Sequence, residues 1–243
     1  MKKVLIFVLS AQIPPWHTMI QQAMETWDSE PLEGTETIYY SGAPEKPHEE
    51  RALYFPVEED YKTMGYKDLL AYAWAMENRE WDYMARAHSS CYVHKARLLE
   101  EVQTLPDTGV FRGIEIGPTI TSGTGERNWL WGGCHFIMSR DVIAAMLRES
   151  KRWKHNIMED AAMSELVQDC GFKLDGGGKS CSINKTPRGW NCITYGGNVP
   201  SFDFSDFAEV ARLTDQYFFR VKCDADRAVD ADVMRLLKQH LPA

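Results

Sequence analysis

Several signatures are missing from this 243-residue chain, and each absence narrows its class. No apolar run approaches the roughly 20 residues that cross a bilayer as a helix. The opening stretch Val4 to Leu9 follows Met1-Lys2-Lys3, is too short for a span, is soon followed by Pro14-Pro15-Trp16, and has a poor small-residue cleavage pattern, so it reads as a first buried strand. No Lys/Arg block is present, and 27 basic against 35 acidic residues leave a formal charge of −8. Such a field does not attract a nucleic-acid backbone, although a local basic patch for a diphosphate is compatible with it. The six cysteines, Cys91, Cys134, Cys170, Cys181, Cys192 and Cys223, contain no Cys-x-x-Cys pair. Free thiols in a reducing compartment, and no zinc site, are the expectation. Thr121-Ser122-Gly123-Thr124-Gly125 lacks the Lys-Ser/Thr ending of a phosphate loop and is no dinucleotide fingerprint, and Asp175-Gly176-Gly177-Gly178-Lys179 reads as a flexible surface turn. No internal period suggests a solenoid or propeller.

What is present is an aromatic-rich chain, with 8 Trp, 10 Tyr and 10 Phe, whose first hundred residues alternate between strand and helix patterns. Val4 to Leu9 has neither helical period nor alternation, as in a strand covered on both faces. The spacing then predicts a helix over 18–27, a strand over 36–40, and a helix over 60–79 with Leu69, Leu70, Ala73, Trp74 and Met76 on its apolar stripe. A core strand over 81–86 arrives at His88-Ser89-Ser90, and a helix follows from His94. Glycines 113, 117, 123, 125, 132 and 133 punctuate a polar middle, where loops approach a ligand closely. Ser139 is expected to cap a helix beginning at Arg140, a further helix spans 156–170, and the tail after Pro200 holds one strand, 217–221, and a closing helix, 230–237. This order favours an α/β fold, a Rossmann-like mixed sheet with helices on both faces and a ligand crevice at the carboxyl ends of the strands.

Four segments, in order, resemble the fringe-like and β1,3-galactosyltransferase-like enzymes, inverting transferases of GT-A fold. Glu59 to Lys67, running into Leu69 and Trp74, resembles the helix before the family's donor strand. Trp81 to Val93 falls where the family has its hydrophobic strand and Asp-x-Asp motif. Gly132-Gly133-Cys134-His135-Phe136-Ile137-Met138-Ser139-Arg140-Asp141 resembles its glycine-rich strand and helix start, and Glu159-Asp160-Ala161 resembles its Glu-Asp motif. The resemblance spans roughly residues 1 to 175. It implies one GT-A-like domain over 1–243, with 1–100 mainly the nucleotide-sugar half and 110–243 mainly the acceptor half and a donor-closing segment. It further implies a nucleotide-sugar donor, a glycan or glycoconjugate acceptor, and no tightly bound cofactor. A cytoplasmic location is expected, since no stem or anchor fits before Val4.

One departure matters: His88, Ser89 and Ser90 stand where the acidic motif would hold a divalent ion, and the nearest acid on that strand is Asp82. One imidazole and two hydroxyls suit Mg²⁺ or Mn²⁺ poorly. Metal-independent donor binding is therefore the expectation, with Arg220 and Lys222, alternating on a late strand, taking over the ion's role. The family commonly brings a late His there; this chain has aromatics beside those cations.

By resemblance, Asp160 is the candidate general base and Glu159 its neighbour at the acceptor; by position alone both would be first-turn acids favouring the helix dipole. His88, Ser89 and Ser90 are donor-binding candidates, or else a turn capping the helix from His94. Arg86 and Lys67 are phosphate-binding candidates, with a solvated helix face the bland reading for Lys67. Trp131, Gly132 and Gly133 are expected to form a sugar-facing wall, or else a glycine bulge packed on a core Trp. His135 reads as a satisfied structural histidine. Two other functions remain open: a catalytically silent sugar- or nucleotide-binding protein of the same fold, and a transferase acting on modified DNA bases.

Overall fold

The computed structural model describes residues 1–43, 45–118, 127–223 and 226–241; the Thr121 to Gly125 segment lies outside them. In chain order the elements are β1 (Val4–Leu9), α1 (Trp16–Glu25), β2 (Thr35–Gly42), β3 (Ala52–Phe55), α2 (Met64–Asn78), β4 (Tyr83–His88), β5 (Cys91–Val93), α3 (Lys95–Thr104), β6 (Phe111–Arg112), β7 (Glu115–Ile116), β8 (Trp129–Leu130), β9 (His135–Ser139), α4 (Arg140–Arg148), α5 (Glu159–Asp169), β10 (Ser180–Thr186), β11 (Gly189–Tyr195), β12 (Phe202–Phe204), β13 (Phe218–Val221) and α6 (Val229–His240).

All six residues of β1 are buried, because the strand is covered on both faces. It lies inside a six-stranded sheet of order β3-β2-β1-β4-β9-β6. The first four strands are parallel, and the β4–β9 and β9–β6 pairings are antiparallel. One face packs on α2, α4 and α5 through Phe7, Tyr72, Met84, Val142 and Leu166. The other face shares a core with α1, α3, α6 and a second sheet of order β12-β11-β10-β13-β5, through Val8, Ala23, Leu98, Phe218 and Val233. This is the mixed α/β architecture, a mixed sheet with helices on both faces, that the sequence pattern indicates.

Two topological facts place the site. After β1 the chain adds β2 and β3 on one side, then crosses to add β4 on the other, so a crevice opens at the carboxyl ends of β1 and β4. After β4 the backbone leaves the first sheet through Ser89-Ser90 and enters the second as β5. There Cys91 pairs with Arg220 of β13, and the Val221 N–H donates to the Ser90 carbonyl at 2.9 Å.

The structure corrects several expectations. The α2 stripe is rotated: Gly65, Lys67, Asp68, Ala71, Tyr72 and Ala75 are buried, while Leu70 is 40% exposed. The helix has turned its charged residues inward because Asp68 and Lys67 meet partners there. The second sheet holds β12 in the tail beyond the one expected strand, and a β10–β11 hairpin before it. β13 lies between β10 and β5, so Arg220 is on no sheet edge. Ser139 occupies the N-cap position of α4, but its hydroxyl donates to Asp141 Oδ1 at 2.6 Å and accepts from the Val110 N–H, capping nothing. The helix expected from 156 begins at Glu159, leaving Trp153 to Met158 as a connecting segment. The cap of α3 is His94, whose Nδ1 accepts from the Arg97 N–H, so Ser89 and Ser90 are not its caps.

Candidate functional site

A cavity of about 590 Å³ occupies the crevice at the ends of β1 and β4. Leu9, Ser10, His88, Ser89 and Ser90 form its base, Glu59, Tyr61 and Lys67 one side, Trp131, Gly133, Arg220 and Lys222 another, and Glu159 and Asp160 close it. The volume is within the range of small-molecule sites. Of the residues singled out in the sequence, the structure brings together here Lys67, His88, Ser89, Ser90, Trp131, Gly133, Glu159, Asp160, Arg220 and Lys222. Two lie beneath the surface instead, Arg86 and Gly132.

Arg86 is wholly buried, and its guanidinium is engaged by Asp68 Oδ2 at 3.2 Å, Glu159 Oε1 at 2.8 Å, the Gly132 carbonyl at 3.1 Å and His88 Nε2 at 3.1 Å. It ties α2, β4, the Gly132 turn and α5 together under the floor, and the phosphate contact expected of it gives way to this positioning role. Its partner Asp68, also hydrogen-bonded by the Tyr40 hydroxyl, was missed in the sequence. The available signal was that Asp68 shares a helical face with Ala71, Tyr72 and Ala75. A guanidinium has no acceptor, so His88 Nε2 must accept, which places the imidazole proton on Nδ1. Burial, then the charges of Arg86 and Arg220, hold His88 well below the usual histidine range, so it is neutral.

The acids and the glycines are one construction. Asp160 Oδ2 accepts from the Gly132 N–H at 3.0 Å and Oδ1 from the Ala161 N–H at 2.9 Å. A Cβ on Gly132 would lie 2.9 Å from Asp160 Cβ and 2.8 Å from Phe136 Cζ, so only glycine lets this turn approach the helix. Burial raises the Asp160 carboxyl above its usual value, and the Gly132 and Ala161 amides draw it partly back. Glu159 is raised well above its usual range by burial, with Arg86 opposing.

The cationic side differs in kind. Lys67 is buried and paired with Glu59 Oε2 at 2.6 Å, which excludes a solvated helix face. Glu59 also accepts from the Gly42 and Gln12 amides, fixing the loop after β1. Arg220 lies over the Trp131 ring, 5.5 Å from its centroid, and its Nε and Nη1 are buried with no hydrogen-bond partner among the described residues. A Cβ on Gly133 would strike both Trp131 and Arg220 Nη1 at about 2.5 Å, so the second glycine makes room for this stack. Asp82, the nearest acid on β4, is at the opposite end of that strand, bonded to the Lys3 N–H at 2.7 Å. Among the described residues no three His, Cys, Asp or Glu side chains converge as metal ligands do. With Arg86 and Arg220 flanking His88, the 88–90 turn does not fit a divalent cation.

His135 is structural but not satisfied: both ring nitrogens lack partners among the described residues, its ring stacks on Phe218 at 4.3 Å, and burial pushes its pKa down to about 3. Among the described residues no helix is long and apolar enough to cross a membrane.

No protein-family model matches the sequence, and no curated protein sequence matches it. Among solved structures, the chain is similar to a glycosyltransferase involved in glycosylation of the major capsid of PBCV-1. The similarity has a TM-score of 0.52 at 11% identity and covers 96% of this chain and 99% of that one. The fold of the chain is therefore one that a glycosyltransferase uses.

Proposed function

We propose that this chain is an inverting, nucleotide-sugar-dependent glycosyltransferase related to the fringe-like enzymes, moving one sugar to a hydroxyl of a glycan or glycoconjugate. One observation carries the reading: a single cavity at the strand ends is lined by both a buried carboxylate, Asp160, and an arginine, Arg220, two of whose donors have no partner among the described residues. In the reaction Asp160 takes the acceptor proton as the acceptor oxygen bonds to C1 of the donor sugar. The C1–O bond to the diphosphate breaks, and its electron pair stays on the departing diphosphate oxygen. Arg220 and Lys222 receive that growing charge, and the neutral His88 offers its Nδ1 proton while Ser89 and Ser90 hydrogen-bond the phosphates. Trp131, held by Arg220 on one side and Tyr195 at 5.3 Å, presents an aromatic wall to the sugar.

The test is a panel of UDP- and GDP-sugars screened for hydrolysis and for a raised melting temperature, with and without EDTA. Turnover that survives EDTA and disappears in Asp160→Asn supports the reading. Donor binding without turnover in the wild type makes the protein a silent member of the fold, and turnover abolished by EDTA replaces the cationic clamp with a metal.

A further inference from the structure

Beside the main cavity, across Tyr61, Met158 and Glu159, lies a second groove of about 500 Å³. It runs between the turn at Tyr61 and Lys62 and the segment Trp153 to Met158 that leads directly into Glu159-Asp160. Its lining is aromatic and amphipathic. Trp153 forms the floor, and a Cβ on Gly65 would lie 2.6 Å from the indole Nε1, so glycine on α2 lets the ring seat against the helix. His155 lies flat on Tyr66, with centroids 3.6 Å apart and an angle of 2° between the rings. Tyr61, 67% exposed, lines the groove as a large aromatic side chain in solvent, and the half-exposed Tyr66 backs it through His155. Asn156 and Lys62, both exposed, supply a hydrogen-bonding rim.

Flat aromatic faces with a polar rim suit a ligand that has an apolar face and a hydroxylated edge, and a pyranose ring has both. The groove joins the main cavity at Tyr61, Met158 and Glu159, the residue before Asp160. We propose that it is an acceptor subsite for a second sugar ring, so that the substrate is an extended glycan, a disaccharide or longer, and not a single sugar. The ring stacks on the exposed Tyr61 face and packs against the edge of His155, which lies between Tyr66 and Trp153, while Asn156 and Lys62 hold its hydroxyls and the preceding ring presents its hydroxyl to Asp160. This inference rests on the transferase reading for its chemistry, but not for its binding.

The experiment uses His155→Ala and Asn156→Ala, neither of which removes a group from the main cavity. Rates with one active donor are compared for a methyl monosaccharide and for di- and trisaccharides ending in the same sugar. Saturation-transfer NMR with cellobiose, lactose, maltose and mannobiose, in the presence of UDP or GDP, reads binding directly. The expected result is a lower KM for the longer acceptors and a roughly tenfold loss of kcat/KM for them alone in His155→Ala, with donor hydrolysis and monosaccharide transfer unchanged. Equal rates for short and long acceptors, or equal losses on both, overturn the subsite. If no donor is turned over, the transferase reading fails and NMR decides the groove. Disaccharide signals lost in both variants support it, and no signal from any disaccharide with the wild type overturns it. A circular-dichroism melt of each variant verifies that the fold is intact.

Discussion

Replacing Arg220 by Met separates ligand binding from folding. Its Nε and Nη1 are buried without partners among the described residues, and its guanidinium lies over the face of Trp131. Met retains most of the apolar stem, while each unmet buried donor that is removed had cost about 1–3 kcal/mol. The ligand-free variant should therefore melt at or above the wild-type temperature. A nucleoside diphosphate at a hundred times its Kd stabilises the wild type by about 2.7 kcal/mol, or about 5–11 °C in a chain of this size. Losing one charge-assisted hydrogen bond of about 2 kcal/mol weakens Kd roughly thirtyfold. At the same ligand concentration about 0.9 kcal/mol of stabilisation remains, a shift of about 2–4 °C. Scanning fluorimetry with UDP and GDP in EDTA measures both quantities. A variant that melts well below the wild type yet keeps the full nucleotide shift would refute the reasoning, since Arg220 would then be a structural cation.

Three further outcomes follow from the same geometry. Asp160→Asn should lower kcat by about 10²–10⁴, with an acid limb in the wild-type pH profile lying above the ordinary aspartate range, because burial raises this carboxyl and only its ionised form accepts the proton; a kcat within a few-fold of wild type would remove it as base. Gly132→Ala should cost about 1–3 kcal/mol of stability in urea titration and at least as much activity as moving Asp160 implies, since the new methyl meets Asp160 and Phe136; unchanged kcat would show that the turn does not position the acid. His135 titrates near 6.5 unfolded but near 3 folded, so its contribution is fully present above pH 6.5 and declines as pH falls toward 3. Between pH 7 and 5 His135→Phe should lose about 2 kcal/mol less stability than the wild type, and parallel losses in urea denaturation would contradict the burial of a neutral ring.

Within the first sheet β1, β2 and β4 were legible because each carries an apolar stretch buried on both faces, whereas β3 (Ala52–Phe55) and the two-residue β6 were not, being too short to show a pattern; the crevice follows from the parallel topology. The β10–β11 hairpin was not: Ser180 and Ser182 are buried although polar, and Asn184, Lys185, Asn191 and Thr194 break up any apolar alternation. Its turn signal, Pro187 followed by Gly189 at φ 138°, was present but unsupported by flanking hydrophobics. In the site, residues named singly in the sequence converged on one cavity, whereas their supports did not show themselves. Asp68 and Glu59 look like solvated acids in a linear sequence, and only the paired cations Arg86 and Lys67 explain their burial. Likewise Leu69 and Leu70 outscored Lys67 and Asp68 as core candidates, because hydrophobicity alone cannot rank a charge that brings its own partner.

The pairing of Cys91 with Arg220 has a consequence for how the protein becomes active. β5 is made early and β13 late, and until β13 inserts, both β5 and β10 present open edges and the Ser89-Ser90 turn lacks its backbone partner at Val221. All strands of the first sheet have been made by Ser139, while the apolar face it turns to the second sheet and the Arg220 wall of the cavity wait for a contact between distant parts of the chain, the kind of step that is slow because loop closure precedes its reward. A ribosome-bound chain ending before residue 218 should accordingly leave the β1 and β4 face that packs on Phe218 and Val233 uncovered and lack the Arg220 wall of the cavity.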